Sequence, residues 1–236
     1  MPETPTGPGT RSCWSIFAHP LDTLDSLRHR PRWLLPLLAA AAAAAASNLY
    51  VLRRVGLMRL VDSAAAGGSL LDAEGLRESV LEHQARILAF QAATAFAGPF
   101  LTAFSTAAVF WLILVLFGRD IPWKRVLAVV AHVWLLTVGI REGMKALAIT
   151  WIADTGRFDI GNPLATNPAF FFRASSPAVQ KTLSSLDAIT FLGLALLVAG
   201  LVRVCPGLPR AHAALAVILP WVIYVGGMVI APAYMR

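Results

Sequence analysis

The chain has 236 residues, of which 57% are hydrophobic and only 14% charged, and it carries a formal net charge of +7. Soluble domains carry about 25% charged residues, so this composition excludes an ordinary soluble globular protein and points to an integral membrane protein. The basic residues are mostly Arg flanking apolar runs, a placement that suits anionic lipid headgroups better than nucleic acid, and no nucleic-acid module is present in the sequence.

Met1 to Ser12 is polar and rich in Pro and Gly, with no apolar run before Cys13. Residues 1–13 read as a disordered tail, neither a cleavable nor a lipoprotein signal, so the first span is expected to act as the insertion signal. Leu21, Leu24 and Leu27 then recur at helical spacing, with Asp22, Asp25, Arg28 and Arg30 on other faces. Two readings stand: a short helix lying at the membrane surface, or a lead-in helix packed on the bundle.

The first span is predicted over about 33–52, with Pro36 in its first turn, where a missing N–H matters little. Ala39 to Ala46 is an unbroken Ala run, suited to close approach of neighbouring helices. Arg53, Arg54 and Arg59 follow and can snorkel to headgroups. After a loop over 61–71 containing Gly67-Gly68, Ser69 and Asp72 resemble a capping box. An amphipathic helix with Leu76, Val80 and Ile87 on one face runs on into apolar sequence. A single helix from Asp72 to Phe117 would be about 69 Å long, too long for one crossing, so a bend is expected near Gly98-Pro99 and a second span over about 96–117.

Gly118 to Arg125 is a tight basic loop, with Trp123 as an expected interfacial anchor. The third span is predicted over about 126–150. The second long loop, 153–183, holds Asp159, Asn162-Pro163, Asn167-Pro168 and the run Phe170 to Phe172, read either as an aromatic anchor at the outer interface, the reading favoured because Arg173 follows, or as packing of the loop onto the bundle. Ser176-Pro177 is a helix start. The fourth and fifth spans are predicted over about 187–203 and 211–234. Arg203 to Arg210 is the short connection that makes them a hairpin. Pro220 is expected to kink or unwind the last span, and Gly227 with Ala231 forms a small-residue pair for close packing.

These elements predict an all-α fold: a polytopic transmembrane bundle of five spans with short amphipathic interfacial helices, occupying 14–236. Five spans put the termini on opposite sides. With the N-terminus inside, the inner segments (1–32, 118–125, 203–210) and the outer ones carry equal numbers of Lys and Arg. The inner segments are shorter, so basic density favours a cytoplasmic N-terminus and an external C-terminus.

No phosphate-binding loop, HExxH or nucleophile elbow occurs, and Cys13 and Cys205 are isolated. No catalytic, cofactor-binding or metal-binding residue is therefore assigned. His19, His29, His83, His132 and His212 are scattered without ligand spacing, and His132 reads as a hydrogen-bonded core histidine. Arg141, Glu142 and Lys145 are the charged cluster within apolar sequence. Each such group carries an insertion penalty of about 2.5–3.5 kcal/mol at a bilayer centre. Either the cluster forms a polar intramembrane pocket whose cations face an anion, or the bilayer ends near Ile140 and the charges are interfacial. Asp187 heads the fourth span, read as a helix-dipole charge in preference to a proton carrier, and is a candidate partner for Arg141 or Lys145.

Three stretches give a resemblance to a known family. Phe17 to Leu38 (FAHPLDTLDSLRHRPRWLLPLL) is similar to an F–P–T–L entry followed by an apolar start. The central apolar pair flanks the short basic loop, and Leu186 to Val204 (LDAITFLGLALLVAGLVRV) places an Asp before an apolar span, followed by a last span containing Trp221. In these the chain resembles the Yip-domain family of five-span membrane proteins, in its bacterial branch. Ala188-Ile189-Thr190 stands where that pattern has an aromatic-rich Phe-x-x-Trp. The resemblance implies a membrane protein without a catalytic motif. Eukaryotic relatives are linked to vesicle traffic and to prenylated GTPases, whereas the Arg- and Ala-rich usage here looks bacterial. The function expected is that of a non-enzymatic organiser of lipids or protein partners, or of its own oligomer, in the bacterial cytoplasmic membrane. The alternative is a small transporter or channel built on Arg141, Glu142 and Lys145.

Overall fold

The computed structural model describes residues 13–56, 78, 80–151, 162, 164–172 and 177–234. Met1 to Ser12, the Gly67-Gly68 loop with its capping box, Leu76, Asp159, Arg173 and Ser176 lie outside the described residues. Every regular element among the described residues is helical. A 3₁₀ turn at Cys13–Ile16 leads to α1 (Pro20–Ser26), α2 (Leu34–Val55), α3 (Gln84–Leu116) and α4 (Trp123–Trp151). The short α5 (Pro168–Phe171) and α6 (Pro177–Ser185) precede α7 (Ala188–Val204) and α8 (Arg210–Tyr234).

Among the described residues, four helices are long and apolar enough to cross a membrane: Leu34–Val55, Gln84–Leu116, Trp123–Trp151 and Arg210–Gly227. The segments Val179–Ser185 and Ala188–Val204 meet at 53° and together make a possible fifth. Long apolar segments favour helices because away from water each backbone N–H and C=O must find its partner within the chain.

The helix α4 lies at the centre, against α2, α3, α7 and the Cys13–Ile16 turn, while α8 packs on α7, α6 and α3. Every residue from Val126 to Val133 is buried. Small residues set how closely α7 can approach. A Cβ on Gly200 would stand 2.6 Å from Val129 Cγ1, and one on Gly193 would stand 3.1 Å from Thr137 Cγ2. Both positions lie on the face of α7 that meets α4, so that hydrogen atoms there stand where methyl groups would clash. On α2, Ala40 and Ala41 are fully buried, the close-approach use expected of the Ala run.

The N-terminal segment packs into the bundle rather than lying free on its surface. Ile16 and Leu24 are fully buried and Leu27 nearly so. A Cβ on Gly139, in the middle of α4, would lie 2.9 Å from Phe17 Cζ, and Leu24 reaches the Gly200 site. Asp25 pairs with Arg203 at 2.9 Å, and the Thr23 hydroxyl donates to the His19 carbonyl at 2.8 Å and meets Ser15 Oγ at 2.7 Å.

Neither Pro99 nor Pro220 ends its helix. The helix α3 continues through Gly98-Pro99 for 33 residues, about 50 Å at 1.5 Å per residue. Proline removes one backbone donor, but a full break would expose several groups, which an apolar environment disfavours more. The Thr102 hydroxyl donates to the Gly98 carbonyl at 2.9 Å and accepts from Trp134 Nε1 at 3.2 Å. The helix α8 likewise runs unbroken through Pro220. Among the described residues, nothing lies within 4 Å of where a Cβ on Gly226 or Gly227 would stand. Trp123 starts α4 but is half-buried, edge-on to Trp111 with centroids 6.2 Å apart. Phe170, Phe171 and Phe172 are exposed.

Candidate functional site

The break in the last third of the bundle falls at Leu186-Asp187, between α6 and α7. Asp187 has extended backbone and caps α7. Its carboxylate accepts from the Ile189 N–H at 3.3 Å, satisfying one of the free donors of the first turn. Thr190, three residues on, donates its hydroxyl to the same carboxylate at 3.2 Å. The Ala188 N–H donates to the Thr166 carbonyl at 3.0 Å, which ties the preceding loop to the head of α7.

Arg141 reaches this carboxylate from α4. Its Nη2 donates to Asp187 Oδ2 at 2.9 Å and to Thr190 Oγ1 at 3.3 Å. The Asp187 side chain is 10% exposed and that of Arg141 42%, so the acid is enclosed and the base opens on the surroundings. Glu142 and Lys145 form a second ion pair within α4, one turn apart and mostly buried. The Ser47 hydroxyl of α2 lies 3.5 Å from the Glu142 carbonyl.

The four candidates are thus gathered at one end of the bundle, as two ion pairs. Their division follows from helical geometry: residues 141 and 142 project about 100° apart, so Arg141 turns to α7 while Glu142 stays with Lys145. Arg141 and Lys145 share a face by spacing, yet each has its own carboxylate, and they form no joint cationic pocket. Arg141 lies 18 residues beyond Trp123, about 27 Å along α4, and a further ten residues to Trp151 project beyond it. Trp151 is 82% exposed, and Leu147 and Met144 are exposed with it.

Thr166 and Thr190 belong to the cluster and are not candidates from the sequence. The Asp-x-x-Thr spacing at 187–190 is a signal for Thr190. Thr166 carries none, because its position depends on how the loop folds back. His132 is buried in the core, and its Nδ1–H donates to the Ala128 carbonyl at 2.8 Å, one turn back on its own helix. Among the described residues no three His, Cys, Asp or Glu side chains gather as metal ligands.

Comparisons with protein families, with curated proteins and with solved structures find no match to this chain.

Proposed function

We propose that the chain is a non-enzymatic integral membrane protein of Yip-domain type with five spans, which organises anionic lipids, a membrane-protein partner or its own oligomer. The helix α7, over about 187–203, counts as the fourth span, with the α6–α7 break at the interface. The N-terminus is placed in the bacterial cytoplasm and the C-terminus outside. The observation that carries this reading is the internal neutralisation of the charged cluster. Arg141 is held by Asp187 and Lys145 by Glu142, which leaves neither cation free for a substrate anion, and the adjoining stretch of α4 is packed by apolar side chains. The 27 Å between Trp123 and Arg141 is close to the roughly 30 Å of a bilayer core, so the ion pairs are read as interfacial, with the end of α4 extending beyond.

One observation favours the transporter as a second reading. The 53° break falls beside Asp187, and discontinuous helices supply binding sites in many transporters. Native mass spectrometry of the protein released in native lipid particles separates the two. A stoichiometric partner, or a defined oligomer holding anionic lipid, is the expected result. A monomer carrying a small polar ligand that is lost in Arg141→Ala or Lys145→Ala would overturn the organiser reading in favour of transport.

A further inference from the structure

The opposite end of the bundle carries a second charged feature with a different character. The Phe117–Pro122 connection and the Cys205–Pro209 connection meet there. The end of α3 is closed by two backbone hydrogen bonds, Gly118 N–H to the Val115 carbonyl at 2.8 Å and Arg119 N–H to the Leu114 carbonyl at 3.0 Å. Gly118 has φ +70°, which L side chains rarely adopt. This closure fixes where Arg119 leaves the helix. Its Nη1 lies 3.9 Å from where a Cβ on Gly207 would stand, so the side chain extends across to the α7–α8 connection. Arg125, in the first turn of α4, belongs to the same end of the bundle, and both guanidiniums favour the thiolate of the buried Cys205.

Arg141, Lys145 and Arg203 each have a carboxylate partner. Among the described residues Arg119 and Arg125 have none. Asp120, next in sequence, is exposed and pairs with neither. Arg119 Nε is moreover buried without a hydrogen-bond partner among the described residues. A buried guanidinium N–H without an acceptor is unfavourable, and a phosphate oxygen is the acceptor that a guanidinium fork fits best. The N-termini of α4 and α8 open at the same end and add the positive ends of two helix dipoles. Beside the arginines the surface is strongly apolar: Leu112 and Leu116 of α3, one turn apart, are exposed, and α8, joined to the end of α3 by Phe117 against His212 at 5.0 Å, exposes Leu215 and Leu219.

We propose that Arg119 and Arg125 bind the phosphate of an anionic lipid headgroup, with the acyl chains lying along Leu112 and Leu116. The site rests on the membrane reading above and narrows it to a leaflet and a pair of residues. A soluble phosphate compound fits the arginines but not the apolar surface that adjoins them.

The test is lipid titration of the full chain in detergent, read by native mass spectrometry, with phosphatidylglycerol against phosphatidylcholine of the same acyl chains. The unaltered protein is expected to retain phosphatidylglycerol preferentially. Arg119→Gln/Arg125→Gln is expected to bind it about tenfold more weakly, while Arg53→Gln/Arg54→Gln, the same charge loss at the other end, leaves it unchanged. Equal retention in the two double variants, or equal binding of the two lipids, overturns the site. If the double variant fails to fold, Arg119→Lys decides: weaker retention supports a guanidinium fork, and unchanged retention overturns it. Glycerol 3-phosphate, which lacks acyl chains, is expected not to compete; competition at equal concentration would reassign the arginines to a soluble ligand. Fractionation of the same cells reads the membrane assignment separately. Protein in the soluble fraction removes both proposals, whereas membrane-bound protein with unselective lipid binding removes this one alone.

Discussion

A double-mutant cycle on Arg141 and Asp187 tests the geometry at the head of α7 directly. Fully exposed ion pairs couple by about 0.2–1 kcal/mol, and removing one partner of a buried pair costs about 3–5 kcal/mol. Here the acid is enclosed and the base is close to half exposed, so solvent screening on the Arg141 side places the coupling at about 1–2 kcal/mol. Asp187 also caps α7, a role worth about 1 kcal/mol. Asp187→Ala loses both and is expected to destabilise by about 2–3 kcal/mol. Asp187→Asn keeps an acceptor for the Ile189 N–H and loses mainly the charge, so its cost is expected to stay near the coupling term. Reversible unfolding in detergent micelles, followed by circular dichroism across the two singles and the double Arg141→Gln/Asp187→Asn, measures each value. If Asp187→Asn costs the same with and without Arg141, the ion pair carries no energy and the reasoning fails.

Gly200→Val is expected to destabilise the bundle by about 1–3 kcal/mol through overpacking against Val129 and Leu24, and Val129→Ala in the same chain should relieve part of it; thermal unfolding of the single and the double variant beside the unaltered protein checks both statements. Leu24→Ala is expected to cost about 2–5 kcal/mol, because Leu24 is fully buried; a change under 0.5 kcal/mol, within the range of surface substitutions, would show that α1 leaves the bundle in solution. Burial pushes the Cys205 thiol above its ordinary pKa, although Arg119 and Arg125 pull it the other way. Since the thiolate is the reactive form, less of it is present at pH 8 than for a free thiol, and alkylation of Cys205 by iodoacetamide in the folded protein should be slow and rise with pH. Labelling as fast as that of an unfolded control would contradict the burial.

Much of the helical framework was legible because in apolar sequence the backbone has little alternative. Span ends fell close to Trp33, Phe117, Val204 and Arg210, where charges, Gly or Pro interrupt the apolar runs. The pairing of Arg141 with Asp187 was legible as a possibility, since both belong to the same side of the chain's alternating topology. The division of the cluster into two pairs was not, because spacing places Arg141 and Lys145 on one face without saying which carboxylate stands opposite. Pro99 and Pro220 leave their helices continuous, because a proline weakens a helix by local terms, while the surrounding apolar sequence favours continuity over a whole span. The actual break, at Leu186-Asp187, carries no Pro or Gly, and its sign in the sequence was the capping Asp alone.

Composition and periodicity by themselves determined that this chain is helical, that its long helices are apolar enough to cross a membrane, and where its charges interrupt them, since these depend on local free energies of burial and backbone hydrogen bonding. Tertiary structure alone decided which charges are neutralised and which are not. Arg141 and Arg119 each follow a glycine or an apolar residue in similar surroundings, yet one meets Asp187 from 46 residues away and the other meets no acid among the described residues. That difference lies in which helices the bundle places side by side.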